Sequence, residues 1–231
     1  MPRGRVTAAR PGPGARTSPS RARARRKAAA PELDGRERIL AMAIRTFAEV
    51  GYAGATTAGI ARGAGVTQPL VHHHFGSKDG LWRAAIDAVF AAIPRVPAPS
   101  AELGARDAIM AIIESFVRFV AVHPEVTRIV AREGAAPSPR LDYLLKRHLH
   151  QPFREIVDLL RAAQRDGTIA ADVRPELCLF LVLGAGSHIF DVSALAERSQ
   201  GIDTNATWTH EAFVSMMRTM LEQGLFGRST R

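Results

Sequence analysis

The segment ARGAGVTQPLVHHHFGSK, residues 61–78, decides how the rest of the chain is read. Gly65-Val66 separates two short pieces with helical apolar spacing, and a glycine at such a point supplies a tight turn. Thr67 stands where a hydroxyl accepts first-turn amides, and Pro69 stands where a missing N–H costs little. At about 100° per residue, Val71 and Phe75 share an inward face, Pro69 and His73 point the opposite way, and Leu70 and His72 lie on the shoulders. Gln68 occupies the exposed start. Two short helices around a tight turn, the second opening on polar residues, form a helix-turn-helix whose second helix offers its N-terminal end to a major groove.

Toward the N-terminus, Ile39, Leu40, Ala43, Ile44 and Phe47 form one helical stripe, opened by a capping box of Asp34 and Glu37 and stopped by Gly51. Thr56 or Thr57 caps the short helix that carries Ile60 and Ala61. Toward the C-terminus, Ser77 caps a fourth helix with Leu81, Trp82, Ala85, Ile86 and Val89 facing inward, ended by Pro94, Pro97 and Pro99. Further stripes run over 109–122, 126–130, 141–163, 177–195 and 213–221, with no useful period-2 alternation and no internal repeat. The pattern predicts an all-α chain of about nine helices: a helix-turn-helix domain over 31–80 and a helical domain over 81–231.

The chain has 231 residues, 46% of them hydrophobic and 23% charged, which is enough apolar surface for a core. Its formal net charge of +9 is confined to one place. Residues 1–30 hold nine basic side chains, Arg23, Arg25, Arg26 and Lys27 among them, and no acid; the remaining 22 basic residues balance 22 acidic ones. The tail is rich in Pro, Gly, Ala and Ser, so it reads as a disordered basic arm suited to phosphates. It is otherwise a solvated extension or an organellar transit peptide. No apolar stretch follows the basic start as an export signal requires, and the longest apolar run, 177–186, is well short of the roughly 20 residues that cross a bilayer. A cytoplasmic location without membrane contact is expected. The single cysteine, Cys178, excludes an internal disulfide and a multi-cysteine zinc module.

Gly51-Tyr52, Ala55-Thr56-Thr57, Ile60-Ala61, Ala64-Gly65-Val66-Thr67 and His73-His74-Phe75-Gly76-Ser77-Lys78 together resemble the N-terminal signature of TetR-family transcriptional regulators. The resemblance covers about residues 36–86. It implies that Thr56 or Thr57 and Thr67 contact phosphates or cap helix ends aimed at them. Gln68, Pro69 and Leu70 would face base edges, Gln68 reading adenine and Leu70 a thymine methyl. His72, where the family usually has tyrosine, would touch the DNA backbone with His73 and Lys78, while His74 and Phe75 pack internally. It further implies a homodimer through the last two long helices, about 175–197 and 207–223, and an operator released when a small molecule binds the C-terminal region. The sequence departs from the pattern at Gly59 and Gly63, which weaken the second helix, and at Pro69, which replaces a common glycine. Charges over 31–80 sum to zero, which leaves the arm as the source of electrostatic affinity.

Three consecutive histidines diverge by about 100° each and do not converge on one metal ion as an i, i+4 pair does. Cys178 lies in an apolar run with no basic neighbour and reads as core. Arg118, His123, Arg132, His148 and His188 stand on otherwise apolar helices, either lining a ligand cavity or capping, pairing and facing solvent. Phe116, Phe119, Ile129, Leu144, Leu145 and Phe190 outline either an apolar pocket for a lipophilic effector or a filled core. No nucleophile–base pair, phosphate loop or metal-ligand spacing points to an enzyme or a cofactor. The expected function is a ligand-released repressor of a palindromic operator; the alternative is a sequence-indifferent nucleic-acid binder driven by the arm.

Overall fold

The computed structural model describes residues 34–93 and 104–226. The basic arm, with Arg23, Arg25, Arg26 and Lys27, lies outside the described residues. The first four helices are α1 (Gly35–Gly54), α2 (Thr57–Gly63), α3 (Gln68–Phe75) and α4 (Lys78–Ala91). They are followed by α5 (Ala105–Val122), α6 (Pro124–Gly134), α7 (Pro139–Leu144), a π-helical turn (Leu145–Leu149), α8 (His150–Arg165), α9 (Pro175–Asp191), α10 (Ser193–Gln200) and α11 (Thr207–Gly224). No named strand occurs among the described residues, where Ile169 and Phe226 form an isolated antiparallel bridge.

The segments outnumber the nine apolar stripes because two stripes are interrupted. The stripe over 141–163 passes through the π turn just before Pro152, which has no N–H to return to the carbonyl one turn earlier. The stripe over 177–195 breaks at Val192, where α9 and α10 meet at a 65° bend. No single helix among the described residues is long and apolar enough to cross a membrane.

Local chemistry sets the ends of the N-terminal helices. Asp34 and Glu37 form the reciprocal capping box, with bonds of 2.8 and 3.0 Å. Thr56 caps α2 by accepting the Gly59 N–H at 3.0 Å, and Ser77 caps α4 by accepting the Gly80 N–H at 3.0 Å. Gly51, at φ +71°, stops the regular helix as its position suggests; the chain kinks there and takes one more helical turn to Gly54. Gly80 is required by close packing, since a Cβ there would stand 2.2 Å from the Phe75 carbonyl oxygen.

Two buried apolar clusters organise the described residues. One joins α5, α6, α8, α9 and α11. The other gathers Ile39, Phe47, Ile60, Val71, Leu81 and Trp82 from α1 to α4 and continues through Ile129, Leu144 and Leu149 of α6, α7 and the π turn. Leu81, Trp82, Ala85 and Ile86 of α4 thus belong to the core of the helix-turn-helix, while Val89 of the same helix packs in the first cluster.

Short helix α6 ties the two clusters together. Arg132 donates to the carbonyls of Ala48 and Glu49 in α1 at 3.1 and 2.8 Å. One turn earlier, Arg128 donates to the Phe190 carbonyl near the end of α9 at 2.7 Å. Each guanidinium meets carbonyls close to where regular helix stops, in α1 before Gly51 and in α9 before Val192, the negative end of a helix dipole.

Candidate nucleic-acid interface

Val71 is buried and Phe75 half-buried on the inner side of α3, while Gln68, Pro69, His72 and His73 are exposed. The turn before α3 depends on Gly65 at φ +66°. Thr67 is the N-cap residue but its exposed hydroxyl makes no capping bond; the Leu70 N–H, in the position that Thr56 and Ser77 cap in their helices, goes to the Thr67 carbonyl at 3.1 Å. The half-buried Thr57 accepts the Gln68 side-chain N–H at 3.3 Å. That bond orients the Gln68 amide and leaves its Oε1 and second N–H for the bidentate pairing that adenine N6 and N7 offer.

Two residues sit differently from what the resemblance implies. Leu70 is half-buried, with a methyl group 3.4 Å from where a Cβ of Gly35 would stand, so the start of α1 shares its surface. His74, expected inside, is exposed and stands beside Phe75 and His73 with ring centroids 6.0 and 5.3 Å apart. Short α3 fills its core contact with Val71, Phe75 and Leu70, and nothing remains for His74 to pack under.

The Lys78 ammonium lies 4.3 Å from the Tyr52 ring centre, and the Arg140 guanidinium lies 4.1 Å from the same ring. Arg140 in turn donates to Glu133 at 2.9 Å, a carboxylate only 8% exposed. Buried Glu133 therefore has its counter-ion, and the start of α4 is linked through Tyr52 to α6 and α7.

Residues 39–85 match the family described as bacterial regulatory proteins, tetR family. Over these residues the chain carries a segment that matches the N-terminal helix-turn-helix region of that family. Over 51 residues it is 45% identical to the HTH-type transcriptional regulator BetI of Stenotrophomonas maltophilia, which covers 22% of this chain and 26% of that protein. The chain thus spans about a quarter of that curated relative. In fold, the chain is similar to a transcriptional regulator of Streptomyces coelicolor, with a TM-score of 0.59 at 24% identity over 84% of this chain and 99% of that one. It is also similar to AibR, solved in complex with isovaleryl coenzyme A and operator DNA, with a TM-score of 0.64 at 18% identity over 81% of this chain and 97% of AibR.

The C-terminal helices border a partly open apolar pocket of about 80 Å³ between α5, α8 and α9. Its walls include Ile109, Ile113, Phe116, Ile156, Leu160 and Cys178. Burial holds the Cys178 thiol above its ordinary pKa, which keeps it protonated and unreactive. Of the residues singled out in the sequence for a ligand, Phe116 lines this cavity. Phe119 and His123 border a separate open groove beside Arg118, whose guanidinium is bonded to Glu114 and Glu211. Leu144 is fully buried in the helix-turn-helix core, Arg132 is bound to α1, and His188 is exposed on α9.

His148 lies 2.8 Å from Asp87 and stacks on Phe90 at 4.5 Å, and Tyr143 donates to the same carboxylate at 2.9 Å. Burial first, and then the bond to Asp87, raise the Tyr143 pKa and keep the phenol a donor. The aliphatic residues of the cavity carried no signal of their own, because helical apolar spacing is the same for a filled core and for a void.

Proposed function

We propose that this chain is a homodimeric, sequence-specific repressor whose two copies of α3 enter successive major grooves of an inverted repeat, about 34–36 Å apart. The reading is carried by the exposed arc of Gln68, Pro69, His72 and His73, backed by buried Val71 and oriented through Thr57. Within this reading Gln68 and Pro69 face bases; Thr56, Thr67, His72, His73 and Lys78 meet phosphates. Leu70 contributes by holding α3 against α1 and offers a base only its open edge.

The second copy is supplied by α9 and α11. Leu177, Phe180 and Leu181 of α9, and Trp208, Met216 and Met220 of α11, are each at least half exposed. The charges along α11 are largely paired within the protomer, Glu211 with Arg118 and Arg218 with Glu114 and Glu222. The face is therefore close to neutral and complementary to itself. Large apolar side chains in this number match the scale of roughly 800 Å² that each partner buries in a stable dimer.

The effector is proposed to be a small uncharged molecule, or the apolar part of a larger one, entering between α5, α8 and α9. About 80 Å³ is less than a bulky ligand fills, so entry must part these helices. Arg128 and Arg132 of α6 then pass the movement of α9 to α1. AibR, of similar fold, holds an acyl thioester and operator DNA together. Coupling requires only that the effector prefer one separation of the reading heads over the other.

Selection of bound fragments from a random duplex library, at physiological salt, tests the reading. The expected result is an enriched inverted repeat. Gln68→Ala is expected to weaken binding to that repeat by about 1–3 kcal/mol and to relax preference at one base pair in each half-site. Retention of fragments without any shared motif would overturn sequence specificity in favour of binding by the basic arm.

A further inference from the structure

The three histidines of α3 are all exposed, and one of them is tied down. His72 Nδ1 lies 3.2 Å from the Gly76 carbonyl oxygen. A carbonyl only accepts, so Nδ1 carries the hydrogen, and a neutral ring is left with a lone pair at Nε2. A phosphate oxygen also only accepts. His72 can therefore donate to DNA backbone from Nε2 only as imidazolium. His73 lies about 100° further round the helix, on the Pro69 side of the exposed arc, where a charged ring also gains from a phosphate.

The charges brought toward α3 by the elements around it are mostly positive. Arg36 of α1 lies 5.5 Å over the Phe75 ring, Arg38 of α1 reaches the turn at Gly65, Arg62 is exposed on α2, and Lys78 opens α4. Of the acids on the same elements, Asp34 and Glu37 accept each other's backbone N–H, Asp79 is paired with Arg83 at 2.8 Å, Asp87 meets Tyr143 and His148, and Glu49 is exposed near the end of α1. The histidines paired with carboxylates are His123 and His148, far from this helix. Among the described residues neither His72 nor His73 pairs with a carboxylate, so the anion that meets them on docking is a backbone phosphate.

We infer that docking of α3 on DNA takes up protons at His72 and His73, so that affinity rises as pH falls. The inference rests on α3 being the DNA-facing helix. Each proton taken up on docking raises affinity by up to tenfold per pH unit lowered.

The test is fluorescence anisotropy of the full chain with a labelled duplex carrying the selected inverted repeat, at about pH 6, 7 and 8 and constant ionic strength. The expected result is binding at least about tenfold tighter at pH 6 than at pH 8. The double variant His72→Gln with His73→Gln keeps neutral donors at every pH and is expected to flatten the profile. His74→Gln, off the exposed arc, is expected to leave it unchanged. All three positions are exposed, so folding is not at stake. A flat wild-type profile, or the same slope in the double variant, overturns the inference while the DNA-facing reading stands. Absence of binding at every pH overturns both.

Discussion

Replacing Phe180 and Leu181 together by glutamate is expected to leave a monomer whose affinity for the inverted repeat is at least about 100-fold weaker, a loss of roughly 2.7 kcal/mol. Phe180 is 64% and Leu181 71% exposed in the protomer, so the substitutions remove little from its own core. Gly184, one turn further along α9, has open space where a Cβ would project, which keeps the middle of this face shallow enough for close approach. Four carboxylates across a two-fold seam meet one another in an apolar setting, where juxtaposed like charges cost several kcal/mol. Sedimentation velocity reads the oligomeric state. Anisotropy on the inverted repeat and on an isolated half-site separates loss of pairing from loss of reading, since half-site affinity is expected to hold. A double variant that stays dimeric would sink the assignment of this face.

The part of the fold that could be read from the sequence is the part held by contacts a few residues apart. The capping box of Asp34 and Glu37, the hydroxyl caps of Thr56 and Ser77, and the turn at Gly65 each use partners within one helical turn, so residue type and spacing suffice. Thr67 marks where residue type and spacing fall short: the N-cap position is right, but the Leu70 N–H goes to the Thr67 carbonyl and the hydroxyl caps nothing.

Readings that needed a distant partner were not available in the same way. Arg132 ends on carbonyls more than 80 positions earlier in the chain, and His148 on a carboxylate 61 positions earlier. A polar residue on an apolar helix looks the same whether it meets a ligand, a helix end or a carboxylate. Leu70 and His74 show the limit at short range: a wheel ranks directions within α3, but the covering surface comes from the start of α1. The stripes over 109–122 and 177–195 name the right helices for the cavity, yet whether three helices close on one another depends on how they diverge in space.

Trp82→Ala is expected to cost about 3–5 kcal/mol, a large share of the 5–15 kcal/mol that holds a typical domain folded. Trp82 is completely buried and meets Tyr143 edge to face at 5.9 Å, while Tyr143 donates to Asp87 one turn along α4. The same cluster runs from Ile39 of α1 to Leu144 and Leu149. Removing the indole therefore opens a void shared by the reading head and the helices behind it, and neither side can collapse into it alone. The consequence is a single unfolding transition: urea denaturation followed by circular dichroism and by duplex binding should give coincident curves, shifted together in the variant. For the same reason a fragment of residues 31–80 is expected to remain unfolded, because it lacks Leu81, Trp82, Ala85 and Ile86, against which α1 and α3 pack. Two separated transitions, with duplex binding lost first and helicity retained, would mean that the reading head folds by itself and that movement of α6 or α9 has no rigid path to it.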